Sequence, residues 1–203
     1  MSTPTTPDVA NRVLDIAYEL TARSGPDSVS VREVQRQAGV SAATAYWHFK
    51  NRADLMLAVS RRATAALADS LGDASENAPS PQQELTAVCL AYLHFARDHE
   101  GLFRAVISNS SADELERPHG SARGRSGYAA FEILQQAVAG VAAAYERTYA
   151  DDAALHVWAA CHGLAAVLLD TPMAHIPEAE KERLRRQHVA FVVDALVPDH
   201  PRE

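Results

Sequence analysis

Apolar residues recur along the chain at spacings of three and four, the period of helices that bury one face, and no segment reads convincingly as a strand. Val9, Val13, Ile16, Ala17 and Leu20 form a first stripe, which Asp8 is placed to cap and Ser24-Gly25-Pro26 to end. Val31, Val34 and Ala38 form a second, in a short helix starting at Ser30, and residues 42–47 form a third helix almost at once. A fourth is expected over residues 52–71, with Leu55, Val59 and Leu67 on one side, before a polar break at 72–79. Ser80-Pro81 restarts a helix, cap first and Pro at the first helical position, to about residue 98. A turn at 99–101, a short apolar helix at 102–107 and a long loop at 109–126 follow, the loop being of a length that often carries function. Three last helices are expected over 127–149, 152–169 and 177–196. The prediction is an all-α chain of nine or ten helices without internal repeats.

The densest signal is the run SVREVQRQAGVSAATAYWHFKNRADL from Ser30 to Leu55. The Ser30 hydroxyl can cap the Glu33 N–H while the Glu33 carboxylate reaches back, a capping box. Gly39 supplies the left-handed residue of a sharp helix exit, and Ser41 caps the next helix two positions later. Two short helices at a steep angle are the layout of a helix-turn-helix DNA reader. With Ala42, Ala43 and Thr44 outward, the second of them fits a major groove without clashing. Tyr46 and Phe49 are expected to anchor the motif partly in its own core, His48, Lys50 and Arg52 to face phosphates, and Asn51 to cap the following helix.

Residues 9–57 resemble the DNA-binding domain of tetracycline-repressor (TetR) family transcription regulators. Gly25, Ala38, Gly39, Val40, Ser41, Thr44, Tyr46, His48, Phe49, Arg52 and Leu55 match its pattern of a helix, a Gly, an "A..aGvs..tlY.hF..K..L" core and a long fourth helix. Gln35 departs from a usual small Ala and Ala45 from a larger aliphatic residue, which suggests altered packing; Arg52 replaces the commoner Lys, and both can neutralise a phosphate. The resemblance implies that an Arg early in the second helix, here Arg32, can reach a base edge. The candidate DNA-binding set is Ser30, Arg32, Ser41, Ala42, Ala43, Thr44, Tyr46, Trp47, His48, Lys50 and Arg52. A helix-turn-helix DNA-binding domain over 1–57 and a helical ligand-binding and dimerisation domain over 58–203 follow from this reading.

Charge sharpens the division. Residues 1–62 carry eight Lys or Arg against six Asp or Glu, and residues 63–203 carry eleven against twenty, so a net charge of -7 divides into +2 and -9. Nucleic acid is expected at one end and repelled elsewhere. A chain of 203 residues, 47% of them hydrophobic, can bury a full core in one compact unit or two small ones. There is no apolar stretch of about 18 residues free of charges, so no membrane span is expected, and the polar start MSTPTTPD lacks the features of a secretory signal. A cytoplasmic protein without a membrane partner is the expectation. Cys89 and Cys161 lack CxxC spacing, so no disulfide framework is expected.

The C-terminal helices offer small residues for close approach at Ala159, Ala160, Gly163, Ala165 and Ala166, and Leu184, His188, Phe191, Val192 and Ala195 at helical spacing. Two helices from each of two copies can close a four-helix interface, and the family resemblance implies such a dimer over 152–196. The run from Trp158 to Gly163 is also similar to a motif of one subgroup's C-terminal domain. Tyr92, Phe95, Phe103, Tyr128, Phe131, Trp158 and His162 are candidates to line an apolar ligand pocket, with Trp158 and His162 one turn apart, Met173, His94 and His99 as further candidates, and Asn109 at the entrance. Eight of the nine histidines and both cysteines lie beyond residue 62, yet their spacings do not share helix faces well, so no metal and no cofactor is predicted. No GxSxG, HExxH or phosphate loop argues for an enzyme. The reading is a homodimeric repressor that binds double-stranded operator DNA and leaves its palindrome when an apolar small-molecule effector binds. The alternatives are a helical interaction module that never touches DNA and a metal-sensing regulator.

Overall fold

The computed structural model describes residues 6–108, 125–149 and 152–197. Among the described residues there are nine α-helices, two 3₁₀ turns and no strand. Helix α1 (Thr6–Ser24) starts ahead of Asp8, which therefore lies in its first turn instead of capping it. Val13 and Ala17 are buried, with Ile16 and Leu20 packed partly against the same core. The chain leaves α1 through Gly25 at φ 78° into a 3₁₀ turn, Pro26–Ser28.

Helix α2 (Val31–Ala38) begins as the sequence suggests, the Glu33 N–H donating to Ser30 Oγ at 3.1 Å. The Glu33 carboxylate does not return to close a capping box. It accepts from Arg36 at 2.9 and 2.6 Å and from Gln37 at 2.6 Å, because a guanidinium one turn ahead offers two charge-assisted bonds where the backbone offers one neutral N–H. Gly39 ends α2 in the left-handed region, φ 62° and ψ 34°. Helix α3 (Ala42–His48) starts with the Thr44 N–H on Ser41 Oγ at 3.1 Å, and α4 (Arg52–Glu76) with the Asp54 N–H on Asn51 Oδ1 at 2.8 Å.

Three bounds differ from the sequence reading. Helix α4 continues through Gly72 to Glu76: one helical Gly costs only about 1 kcal/mol relative to Ala, and buried Leu67, Ala68 and Leu71 hold the helix against its core. The turn expected at 99–101 is confined to His99, since α6 (Glu100–Ser108) begins one residue after α5 (Pro81–Asp98) ends. Gly101 inside α6 permits a close approach: a Cβ there would collide with the Thr21 carbonyl oxygen and lie 3.1 Å from that of Ala22. Helix α7 (Arg125–Ala144) ends before residue 149; α8 (Ala153–Asp170), a 3₁₀ turn at Pro172–His175 and α9 (Glu178–Asp194) complete the chain. The expected loop and Asn109 fall on 109–124, outside the described residues.

Packing divides the chain into two units. The first holds residues up to Thr64 together with α6, around Val13, Ala17, Val29, Val34, Ala38, Leu55, Met56, Val59 and Ala105. The second holds residues 65–98 with α7, α8 and α9, and there α5 packs against all three of those helices. The division after Thr64, like the expected one after residue 57, falls within α4, because Val59, Ser60 and Ala63 are buried beyond the expected boundary. Helix α8 is apolar and long enough to cross a membrane, with a mean hydropathy of 1.4, where no such stretch was expected; its run without Asp, Glu, Lys or Arg reaches almost to Asp170. In the second unit it packs against α5, α7 and α9, and the core helix of a soluble domain meets the same criterion.

Candidate functional site

In the first unit, α3 presents a continuous outer face. Ala42, Ala43, Tyr46 and Trp47 lie on it at helical spacing and are exposed, Tyr46 at 51% and Trp47 at 72%, while Ala45 on the opposite side is buried at 3%. Tyr46 is thus an outward group and not the partial core anchor expected; Phe49, half-buried against the core, does fill that role. The His48 ring stands edge-on to the Trp47 indole, centroids 4.7 Å apart. Thr44 is half-buried and its hydroxyl is bonded to that of Ser41 at 2.7 Å, so both serve the cap. Ser30 likewise caps α2.

The cations of this unit divide into committed and uncommitted ones. Arg36 is held by Glu33, Arg23 by Glu19 at 3.8 Å, and Arg62 by Asp15 while lying over the Tyr18 ring. Arg52, though exposed, donates to the carbonyl oxygens of Val29 at 2.9 Å and Pro26 at 2.6 Å. It clamps the connection into α2, a role that the sequence pattern does not reveal because its partners lie more than twenty residues upstream. Arg32, early in α2, and Lys50, just after α3, are exposed and have no side-chain partner among the described residues. An exposed, largely apolar helix face in a unit that also carries two exposed cations has the chemistry to meet base edges with the one and phosphates with the other.

In the second unit, α5 and α8 join Tyr92, His162 and Trp158. The Tyr92 hydroxyl lies 2.9 Å from His162 Nδ1, and the Trp158 indole stacks on the His162 ring at 5.1 Å and 18°. Burial pushes the Tyr92 phenol well up from its ordinary pKa, Cys161 pushes it further, and a hydrogen bond with Trp158 opposes them. Phe95 is buried on the same helix as Tyr92, and Phe131 on α7 is half-buried. Phe103 is buried on α6, in the first unit. The side chain of Tyr128 lies outside the described ones.

Two groupings escaped the sequence reading. Cys89 and Cys161 are both free and buried, and a thiol–thiol hydrogen bond pushes Cys89 up and Cys161 down. They share no sequence motif and meet only because α5 packs on α8. Glu182, expected on a solvated face, instead gathers His94 at 3.1 Å, Arg97 at 3.3 Å, Arg186 at 2.9 Å and the buried Arg185 at 3.5 Å, while Glu178 meets Arg185 at 2.6 Å. Burial would raise the Glu182 pKa, but His94, Arg186 and Arg185 outweigh it and hold the carboxyl below its ordinary value. No three His, Cys, Asp or Glu side chains among the described residues converge as a metal site.

Comparison with known proteins matches the chain to two family profiles. Residues 13–59 match "Bacterial regulatory proteins, tetR family", and residues 85–192 match "Tetracyclin repressor-like, C-terminal domain". The HTH-type transcriptional regulator AcrR of Shigella flexneri is 38% identical over 48 residues, which span 24% of this chain and 22% of AcrR. Among solved structures, a Rhodococcus sp. RHA1 protein of unknown function superposes with a TM-score of 0.71 at 23% identity, covering 93% of both chains. The transcriptional regulator FadR of Bacillus subtilis, solved in complex with stearoyl-CoA, gives 0.60 at 16% identity over 94% of this chain and 98% of its own. A TetR transcriptional regulator of Streptomyces coelicolor gives 0.54 at 22% identity, covering 94% and 99%.

Proposed function

The chain belongs to the tetR family of bacterial regulatory proteins, and from that premise we propose that it is a cytoplasmic homodimeric repressor released from a palindromic operator by an apolar small molecule. The observation that carries the DNA-binding part is the α3 face, exposed and unopposed, with Arg32 and Lys50 free beside it. Arg32, Lys50 and His48 take phosphates. A single seven-residue helix makes too few contacts for specific binding. Two of them about 34 Å apart enter successive major grooves.

The second copy packs on the outer faces of α8 and α9. Leu155, Ala159, Gly163 and Val167 form an exposed row at every fourth residue of α8, and Phe191 on α9 is 74% exposed. Apolar side chains so uncovered are what a two-fold interface removes from water. The effector is held by the Tyr92–His162–Trp158 group, a polar anchor among apolar residues of α5 and α8. The stearoyl-CoA carried by the Bacillus subtilis FadR supports an apolar ligand for this architecture.

A gel-shift and protection assay on the DNA around the protein's own gene tests this reading. The expected result is one protected palindrome, released by an effector found in a thermal-shift screen that begins with acyl-CoA esters. Absence of any shift at low salt overturns it.

A further inference from the structure

The outer face of α3 carries none of the side chains that recognise bases by paired hydrogen bonds. Guanine is read in the major groove by Arg or Lys, adenine by Asn or Gln, and cytosine by Glu or Asp, whereas thymine alone offers a methyl group to an apolar side chain. Ala42, Ala43, Tyr46 and Trp47 provide two methyl groups, a phenol and an indole, all exposed. Tyr46 and Trp47 each carry one polar hydrogen at the rim of a large apolar ring. Trp47 is the more exposed of the two, at 72%, and His48 supports its ring edge-on at 4.7 Å. An indole so placed loses contact with water only when an apolar surface arrives.

We infer that Trp47, with Ala43 one turn before it on the same face, determines sequence specificity by packing on thymine 5-methyl groups, so that each operator half-site carries thymine opposite α3. This inference rests on the proposed DNA-reading role of α2 and α3. Affinity from phosphates comes from Arg32 and Lys50 and is indifferent to sequence; discrimination comes from methyl burial. Thymine is therefore fixed at the α3 contact positions, while positions outside its reach vary.

The test uses the full-length protein and duplexes selected by it from a randomised library, with deoxyuridine then replacing thymidine one position at a time. Uracil keeps every hydrogen-bonding group of thymine and lacks only the methyl. The expected result is a loss of about fourfold in affinity at one or more positions of each half-site, the fold-change that corresponds to ~0.8 kcal/mol for one buried methyl. At one or more of those positions Trp47→Ala narrows the difference between the thymidine and deoxyuridine duplexes, with an unchanged melting temperature. Full affinity at every deoxyuridine position overturns the inference, and that measurement on the unaltered protein needs no variant. A deoxyuridine penalty that persists undiminished in Trp47→Ala also overturns the assignment. Retention of no duplex from the library at low salt overturns the DNA-reading role itself, and the inference with it.

Discussion

Arg52 shows how one side chain can look like a DNA contact and work as a structural clamp. It sits where a phosphate-facing cation is expected, yet its guanidinium holds the carbonyls of Pro26 and Val29, the backbone that leads into α2. Arg52→Ala is therefore expected to lower the stability of the first unit by about 1–2 kcal/mol, the loss of two charge-assisted bonds at a part-exposed site. The slope of log affinity against log salt should stay unchanged, whereas a phosphate contact would remove roughly one unit from it. Thermal melts and salt-dependent gel shifts together separate the two roles. Gly101 makes a second residue-scale prediction. Its Cβ would press on the backbone oxygens of Thr21 and Ala22, which cannot yield as a flexible side chain can. Gly101→Ala should cost about 1–3 kcal/mol, as overpacking does, and a melting curve that matches the unaltered protein would refute the close approach.

At the level of elements, what was legible in the sequence depended on how far apart the interacting groups lie. The caps at Ser30, Ser41, Asn51 and Ser80 bond to an N–H three residues on, so the signal and its partner share one short window. The same holds for the Gly39 exit and the outward placement of Ala42 and Ala43. The Cys89–Cys161 contact, the bonds from Arg52 to the carbonyls of Val29 and Pro26 and the Glu182 cluster were not legible, because each depends on the register with which separate segments pack. Residues that look solvated on one helix become a network only when α5 lies beside α9. That network makes an element-scale prediction about pH. The Glu182 carboxyl lies below its ordinary pKa of 4.5, so its stabilising effect is complete above that value and is lost as pH falls through the lower folded value. His94 and Arg97 on α5 and Glu178, Arg185 and Arg186 on α9 are the charged or titratable groups that face it. Acidification from about pH 5 to pH 3 should weaken the second unit, and Glu182→Gln should weaken it at neutral pH while flattening that acid dependence. Denaturant midpoints across that range check it, and an equally steep acid loss in the variant would place the sensitivity elsewhere.

For the whole molecule, the claim that function needs two copies depends on the uncovered faces of α8 and α9. Phe191 is the strongest single test because it is 74% exposed in the chain, so altering it disturbs no internal packing. In a two-fold interface every residue appears twice, and Phe191→Glu removes two apolar groups while introducing two carboxylates. Each lost Phe forfeits about 1.5–3 kcal/mol of burial, and each buried charge without a partner adds several more. Size exclusion with light scattering should find two copies in the unaltered protein and one in the variant, with the same helical content by circular dichroism. A single copy presents one α3 to one half-site, so specific affinity should fall by about a thousandfold or more, toward non-specific binding. The salt slope should roughly halve, because half the phosphates are contacted. A variant that remains two copies places the interface on another face of the second unit. A single copy that keeps full operator affinity removes the need for paired readers, and with it the route by which an effector bound near Tyr92 and His162 alters their spacing.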